Sequence, residues 1–194
     1  VIGTKNSDKL RELKKLLSGI KLKVRSLVDF PACVDAKETG KTFEANAKLK
    51  ARYYSKMTRS LAFADDSGLM VKALNGKPGV YSARFAGPGC TYADNNQKLL
   101  KLLSAKTETK RAAKFVCVIA IYDQGKLVDT VRGECEGKIA HQICGKRGFG
   151  YDPVFIPKGF SKTFAELSSR EKNKISHRGR ALRAALKVLR RVTE

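Results

Sequence analysis

Tryptophan is absent from this 194-residue chain, histidine and methionine occur twice each, and proline occurs five times. With His141 and His177 as the only imidazoles, the sequence argues against a histidine-rich metal centre. The five cysteines, Cys33, Cys90, Cys117, Cys135 and Cys144, are odd in number and form no C-x-x-C pair. Neither a zinc knuckle nor a disulfide framework is indicated, and reduced packing thiols are expected. No apolar stretch approaches the roughly 20 residues that span a bilayer, and no charged n-region, apolar core and cleavage site heads the sequence. A cytoplasmic protein without a membrane partner is the expectation. Acids are also scarce, with 18 Asp and Glu against 40 Lys and Arg and a net charge of +22. That balance attracts polyanions or phosphorylated small molecules without choosing among them.

The 42% hydrophobic content suits a single globular domain of one substantial core, expected over 1–194 with two lobes. No internal repeat or low-complexity linker marks a second domain. Val1-Ile2-Gly3 reads as a strand end. Asn6, Ser7 and Asp8 are helix-start residues before the periodic Leu10, Leu13, Leu16 and Leu17. A strand running into a helix N-terminus suits phosphate, through free backbone N–H groups and the helix dipole. Thr4, Asn6 and Lys9 are the side chains best placed there. A short strand is expected over Ile20 to Val24 and a helix from Thr42, with Phe43, Ala47, Ala51 and Tyr54 on its apolar stripe. Asn46 and Lys50, four apart, share a neighbouring face of that helix.

Leu61 to Ala64 reads as a short strand that ends at Asp65-Asp66, followed by Ser67-Gly68. Two adjacent carboxylates at the end of a buried strand require a cation, a metal or water to stay ionised. A plain turn explains the same residues, since Asp-Ser-Gly is good turn chemistry, and taken alone it is the better reading. Beyond them come a punctuated loop from Pro78 to Gly89 and a helix with Leu99, Leu100, Leu102 and Leu103. Strands are expected over Phe115 to Tyr122 and Lys126 to Arg132, joined at Asp123-Gln124-Gly125, and over Val154 to Ile156 after the rigid Gly148 to Pro153 turn. A long basic helix from about Ser176 closes the chain. Its Arg180, Arg183, Lys187 and Arg191 line one face opposite Leu182, Ala185, Leu186 and Leu189, which a solvated helix face explains.

Four polar clusters stand at element ends: Thr4, Asn6 and Lys9; Glu38 with Asn46 and Lys50; Asp65, Asp66 and Ser67; and Phe149 to Asp152 with Lys172, His177 and Arg178. Each has a bland explanation: Asn6 as an N-cap, Lys50 as a surface lysine, Asp152 as an Asp-Pro turn, His177 as a helix-start residue. Jointly they supply cations for phosphates, carboxylates for a divalent metal, and an aromatic with hydrogen-bonding neighbours for a base.

The blocks TKNSDK, ETGKTFEANAKLKA, ADDSGL, PGVYSARFAG, GFGYDPVF and ELSSREKNKISHRG run in order from Thr4 to Gly179. In them the chain resembles the inosine triphosphatase-like pyrophosphatases, which remove non-canonical purine nucleoside triphosphates. The resemblance implies a two-lobed α/β fold, with a long twisted mixed sheet flanked by helices and the active site in the cleft between lobes. It implies hydrolysis of ITP, dITP or XTP to the monophosphate and pyrophosphate, with Mg²⁺ as cofactor and a homodimer as the assembly. By position, Thr4, Lys5, Asn6, Ser7, Asp8 and Lys9 bind phosphate. Glu38 and Asp66 hold the metal, Asp66 also activates water, Lys50 faces the triphosphate, and Ser67 contacts substrate. Phe149, Gly150, Tyr151 and Asp152 frame the base, with Lys172, His177 and Arg178 completing the pocket. Two positions depart from the family pattern: Ala45 stands where Glu is common before the Asn of the second helix, with Glu44 one place earlier, and Arg147 stands where Gly is common. The competing readings are a Maf-like pyrophosphatase of other modified nucleotides and a nucleic-acid-binding protein. The second leaves Glu38, Asp65 and Asp66 without a role, so no specific nucleic-acid binding is expected.

Overall fold

The computed structural model describes residues 1–4, 6–17 and 23–193. Lys5, and the strand expected over Ile20 to Val24 for its first three residues, lie outside them; Lys23 and Val24 are not in a strand. The elements in chain order are α1 (Ser7–Leu17), α2 (Phe43–Thr58), β1 (Ala62–Val71), α3 (Tyr92–Leu102), β2 (Ala112–Asp123), β3 (Lys126–Ile139), β4 (Phe155–Pro157), α4 (Ser169–Ile175) and α5 (His177–Thr193). Short 3-10 turns, among them Gly79–Arg84 and Asp152–Val154, punctuate them. The strands form one four-stranded sheet in the order β1-β2-β3-β4. Isolated parallel bridges join Ile2 to Ser26 and to Phe63, and of the expected first strand, Val1 to Gly3, Ile2 is the bridged residue.

Two compact units are drawn from alternating stretches of chain. The first comprises Val1–Asp66, Cys117–Gly133 and Arg178–Glu194, and the second Ser67–Val116 and Glu134–His177. In the first, Ile2, Leu13, Phe63, Cys117, Ile119 and Ile121 are buried with the α5 residues Ala181, Leu182, Ala185, Val188 and Leu189. In the second, Leu69, Val71, Leu99, Leu103, Phe115, Ile139, Val154, Phe155 and Phe164 form the core. Phe115 centres an aromatic group there, 4.7 Å from Phe155 and 6.0 Å from Phe164 between centroids.

Local sequence accounts for most of these elements. The Thr42 hydroxyl accepts the Ala45 N–H at 3.1 Å and starts α2, whose Phe43, Ala47, Ala51 and Tyr54 are all buried as their spacing requires. The β2–β3 connection is a two-residue turn with φ +45° at Gln124 and +84° at Gly125, the backbone sign that right-twisted hairpins need. Gly125 N–H donates to Ser55 Oγ at 3.0 Å, which ties the hairpin to α2. Both strands outrun their expected ends. α4 has no counterpart among the expected elements, although Ser168 and Glu171 form a reciprocal capping box at its start.

The largest difference lies at Asp65-Asp66. β1 does not stop at the carboxylates; it passes through them to Val71, so the turn reading of Asp65 to Gly68 is overturned. Extended backbone sends the two carboxylates to opposite sides of the strand, and cations from other elements compensate each of them. A charge pair that looked like a reason to end the strand is therefore tolerated within it.

Candidate active site

In the first unit, α1 opens with its cap in place. Asn6 Oδ1 accepts the Lys9 N–H at 2.9 Å, and Thr4 Oγ1 accepts the Asn6 N–H at 3.2 Å. The bland reading of Asn6, as the cap of α1, therefore holds. Ser7 is exposed, and Asp8 pairs with Arg11 at 2.8 Å. Lys9 turns away from the surface and places Nζ 3.0 Å from Asp65 Oδ2. Glu12, on the same face of α1 three residues on, pairs with Arg178 at the start of α5. Arg178 Nε also lies 3.7 Å from Asp65. Burial alone would push the Asp65 carboxyl up, but Lys9, Arg178 and Lys50 outweigh it and hold the group well below the usual carboxylate range. Cys117 Sγ, 4.0 Å from the same carboxylate, has its thiol pushed up to about 12, first by burial and then by that negative charge.

Asp66 is set differently. Its Oδ2 accepts Asn46 Nδ2 at 3.1 Å, and Lys50 Nζ stands 3.6 Å from its Oδ1 and 2.7 Å from Glu38 Oε1. Gly40 N–H donates to Asn46 Oδ1 at 2.8 Å, fixing the amide that orients the carboxylate. Burial raises the Asp66 carboxyl, and Lys50, Lys9 and Asn46 only partly offset this. For Lys50, burial opposes the charge, yet Asp66, Asp65 and Glu38 together raise its affinity for the proton. The lysine stays cationic. It is 8% exposed, so the surface-lysine reading fails. Glu44 forms an exposed pair with Lys48 within α2, away from the Asn46 cluster, so it does not replace the glutamate missing at Ala45.

Glu38 and Asp66 together offer hard carboxylate oxygens, the donor type that Mg²⁺ prefers. Among the described residues no three Asp, Glu, His or Cys side chains group as a complete metal cage.

In the second unit, the GFGYDP segment is held by Asp152. Its Oδ2 accepts the Phe149 N–H at 2.8 Å and Lys172 Nζ at 2.6 Å, a buried pair reaching from the turn to α4. Gly148 has φ +74°, and a Cβ there would meet Asp152 Oδ2 at 2.0 Å, so glycine is required twice over. The Phe149 ring is half-buried, with Lys172 Nζ 5.1 Å from its centroid and the Tyr92 ring 6.0 Å away. The Gly150 carbonyl accepts Asn96 Nδ2 at 2.9 Å. Tyr151 is buried in the core and donates its hydroxyl to the Ser82 carbonyl at 2.9 Å. His177, 4% exposed, stacks on Phe115 with centroids 4.5 Å apart. Ser67 is half-buried in β1. Arg147 is exposed, and its backbone N–H donates to the Ala165 carbonyl at 3.1 Å.

The structure thus gathers Lys9, Arg178, Asp65, Asp66, Asn46, Lys50 and Glu38 in the first unit, and Phe149, Gly150, Asp152, Lys172 and His177 in the second. Arg178, grouped with Lys172 and His177 by resemblance, makes its contacts with Glu12 and Asp65. Sequence reasoning missed Glu12, whose i+3 spacing from Lys9 was the available signal, and Asn96, which had none. A separate open cavity of about 630 Å³ in the second unit, edged by Met70, Ala113, Ile156 and Phe160, includes none of these residues.

The model of the Ham1 family matches residues 1–188. A dITP/XTP pyrophosphatase of Bacillus anthracis is 51% identical over 185 residues, covering 94% of this chain and 92% of its own. One from Listeria innocua is 44% identical over 194 residues, covering 100% and 96%. A solved HAM1 protein from Coxiella burnetii superposes with a TM-score of 0.89 at 43% identity, over 98% of this chain and 97% of that one. The resemblance carried by the six ordered blocks therefore extends over nearly the whole sequence and its fold, and the chain belongs to the Ham1 family.

Proposed function

We propose that this protein hydrolyses the non-canonical purine nucleoside triphosphates dITP, ITP and XTP to the nucleoside monophosphate and pyrophosphate. The observation that carries the reading is the first unit's centre, where Asn46 and Lys50 hold buried Asp66 beside Glu38, in a chain half identical to dITP/XTP pyrophosphatases. Phosphoanhydride cleavage is mostly positioning and charge neutralisation. Lys9 and Lys50 bring two cations to the centre, and the capped start of α1 adds its dipole. Asp66 takes the proton from an attacking water as the water oxygen bonds to the α-phosphorus. The bond from that phosphorus to the bridging oxygen breaks, and pyrophosphate leaves with the electron pair.

Glu38 and Asp66 would hold Mg²⁺. When bound, the ion neutralises phosphate charge and orients the oxygens it touches. Asn46 fixes the direction of the Asp66 carboxylate, and Lys50 keeps two carboxylates compatible in a small volume. In the second unit, Phe149 offers a flat face to a purine. Stacking accepts any base, so discrimination comes from hydrogen bonds. Hypoxanthine and xanthine present an O6 acceptor where adenine presents an amino donor. Donors such as His177 and those backbone N–H groups of the Gly148 to Asp152 turn that do not bond within it, as Phe149 and Asp152 do, reject adenine, because they are left unpaired against it. Dependence on Mg²⁺ and a homodimeric assembly belong to the same reading and rest on the resemblance; a cytoplasmic setting belongs to it too and rests on the sequence pattern alone. Among the described residues no helix is long and apolar enough to cross a membrane.

Initial rates on dITP, ITP, XTP, dATP and dCTP, with products resolved, test this proposal. Fast monophosphate and pyrophosphate formation from the first three, and slow turnover of dATP and dCTP, is expected. Orthophosphate as the first product would overturn the assigned bond, and equal rates on dATP would overturn the assigned base selectivity.

A further inference from the structure

The C-terminal helix carries a row of charge that the hydrolysis leaves unused. The apolar face of α5, Ala181, Leu182, Ala185, Val188 and Leu189, is buried in the first unit's core. Arg180, Arg183, Lys187, Arg190 and Arg191 are exposed. Arg180, Arg183, Lys187 and Arg191 follow one another at steps of three or four residues, so they share a face. At a rise of about 1.5 Å per residue the row is about 16 Å long. Asp129 of β3 meets it 3.4 Å from Arg191, an exposed contact of the weak kind. The chain as a whole carries a net charge of +22, so its summed field also favours anions.

We infer that the exposed face of α5 is a docking surface for the sugar-phosphate backbone of nucleic acid, bound without regard to sequence. Cations repeated along a rigid helix can meet a line of phosphates, and each phosphate neutralised releases condensed counterions. Four of the five exposed cations are arginines, whose planar fork pairs with phosphate oxygens. Contacts of this kind position a protein on a duplex and read no bases. An anionic membrane fits less well. A helix that lies on lipid must bury an apolar face in it, and that face of α5 is already committed to the protein core. A second copy of the chain would bring like charge against like. The surface goes beyond triphosphate hydrolysis, and its test does not depend on that activity.

Fluorescence anisotropy of a short labelled DNA duplex of random sequence, titrated with the full protein between about 50 and 200 mM salt, reads the surface directly. The wild type should bind in the micromolar range, with log K falling against log salt at a slope of about −3.6 for four phosphate contacts. The variant Arg180→Gln/Arg183→Gln/Lys187→Gln should lose at least about tenfold in affinity and about three units of that slope. Lys187→Gln alone should lose about one unit. A control triple, Lys101→Gln/Lys106→Gln/Lys110→Gln, removes the same charge from exposed sites in the second unit and should change affinity less than about threefold. Equal losses in the two triples, absence of wild-type binding, or preferential binding of phosphatidylserine vesicles over the duplex would each overturn the proposal.

Discussion

Asp65 and Asp66 are adjacent in β1, yet their carboxyls are driven in opposite directions. Burial pushes both upward, but Lys9 and Arg178 prevail at Asp65 and hold it low, whereas Asp66 remains raised despite Lys50 and Asn46. Strand alternation is the physical cause, since it faces one carboxylate toward α1 and α5 and the other toward α2. Asp65 thus serves as the counter-charge of Lys9 and Arg178, and Asp66 is the carboxylate that the proposed hydrolysis uses.

The first prediction follows from that division. Asp65→Asn leaves Lys9 and the buried Arg178 guanidinium short of a partner, and should cost about 3 kcal/mol. Asp66→Asn relieves a strained carboxylate and keeps the Asn46 contact geometry, so stability should hold or rise. Urea denaturation of both variants checks this, and an equal cost at the two positions would contradict the assigned roles.

Lys50→Met keeps the length of the side chain and removes its charge from between Glu38 and Asp66. Turnover of dITP at saturating substrate should fall by at least about tenfold, as when a preorganised charge is lost. An unchanged rate would return Lys50 to the status of a buried structural cation.

Gly148→Ala should disrupt the second unit's turn. The new Cβ falls 2.0 Å from Asp152 Oδ2 at a backbone φ of +74°, so the Asp152–Lys172 pair must shift and Phe149 with it. A stability loss of about 1–3 kcal/mol and a raised KM for dITP are expected. Wild-type KM in a folded variant would separate Phe149 from substrate binding.

Cys117 should resist alkylation in the native protein. Its thiol, pushed up to about 12, is almost wholly protonated at pH 8, and its thiolate fraction still grows tenfold per pH unit there, whereas an ordinary thiol saturates above about pH 8.5. Peptide mass mapping after maleimide treatment should find the half-buried Cys90 and Cys144 labelled first. Early labelling of Cys117 would show that the network around Asp65 opens readily.

Much of the fold was legible because it is local. The α2 stripe from Phe43 to Tyr54, the Gln124-Gly125 turn and the apolar face of α5 each follow from periodicity or backbone sign. The residue types of the candidate site were legible, and the roles given to them are those the resemblance implies. The environment of each residue was not legible, because it is set by residues distant in sequence. Nothing local shows that Asp65 meets Arg178, that Lys50 is buried between two carboxylates, or that Tyr151 ends on the Ser82 carbonyl. The full length of β1 is not legible for the same reason. Its carboxylates look unsuited to a strand interior until the cations of α1, α2 and α5 are in place.

Steady-state dITP hydrolysis by the wild type and Asp66→Asn across a Mg²⁺ titration, read as pyrophosphate released, tests the central claim most directly. Asn preserves the size of the side chain but neither its charge nor its basicity. The account predicts a loss of turnover on the order of 10² or more at every Mg²⁺ concentration, with the fold intact by thermal melt. Near wild-type turnover in the variant would contradict it.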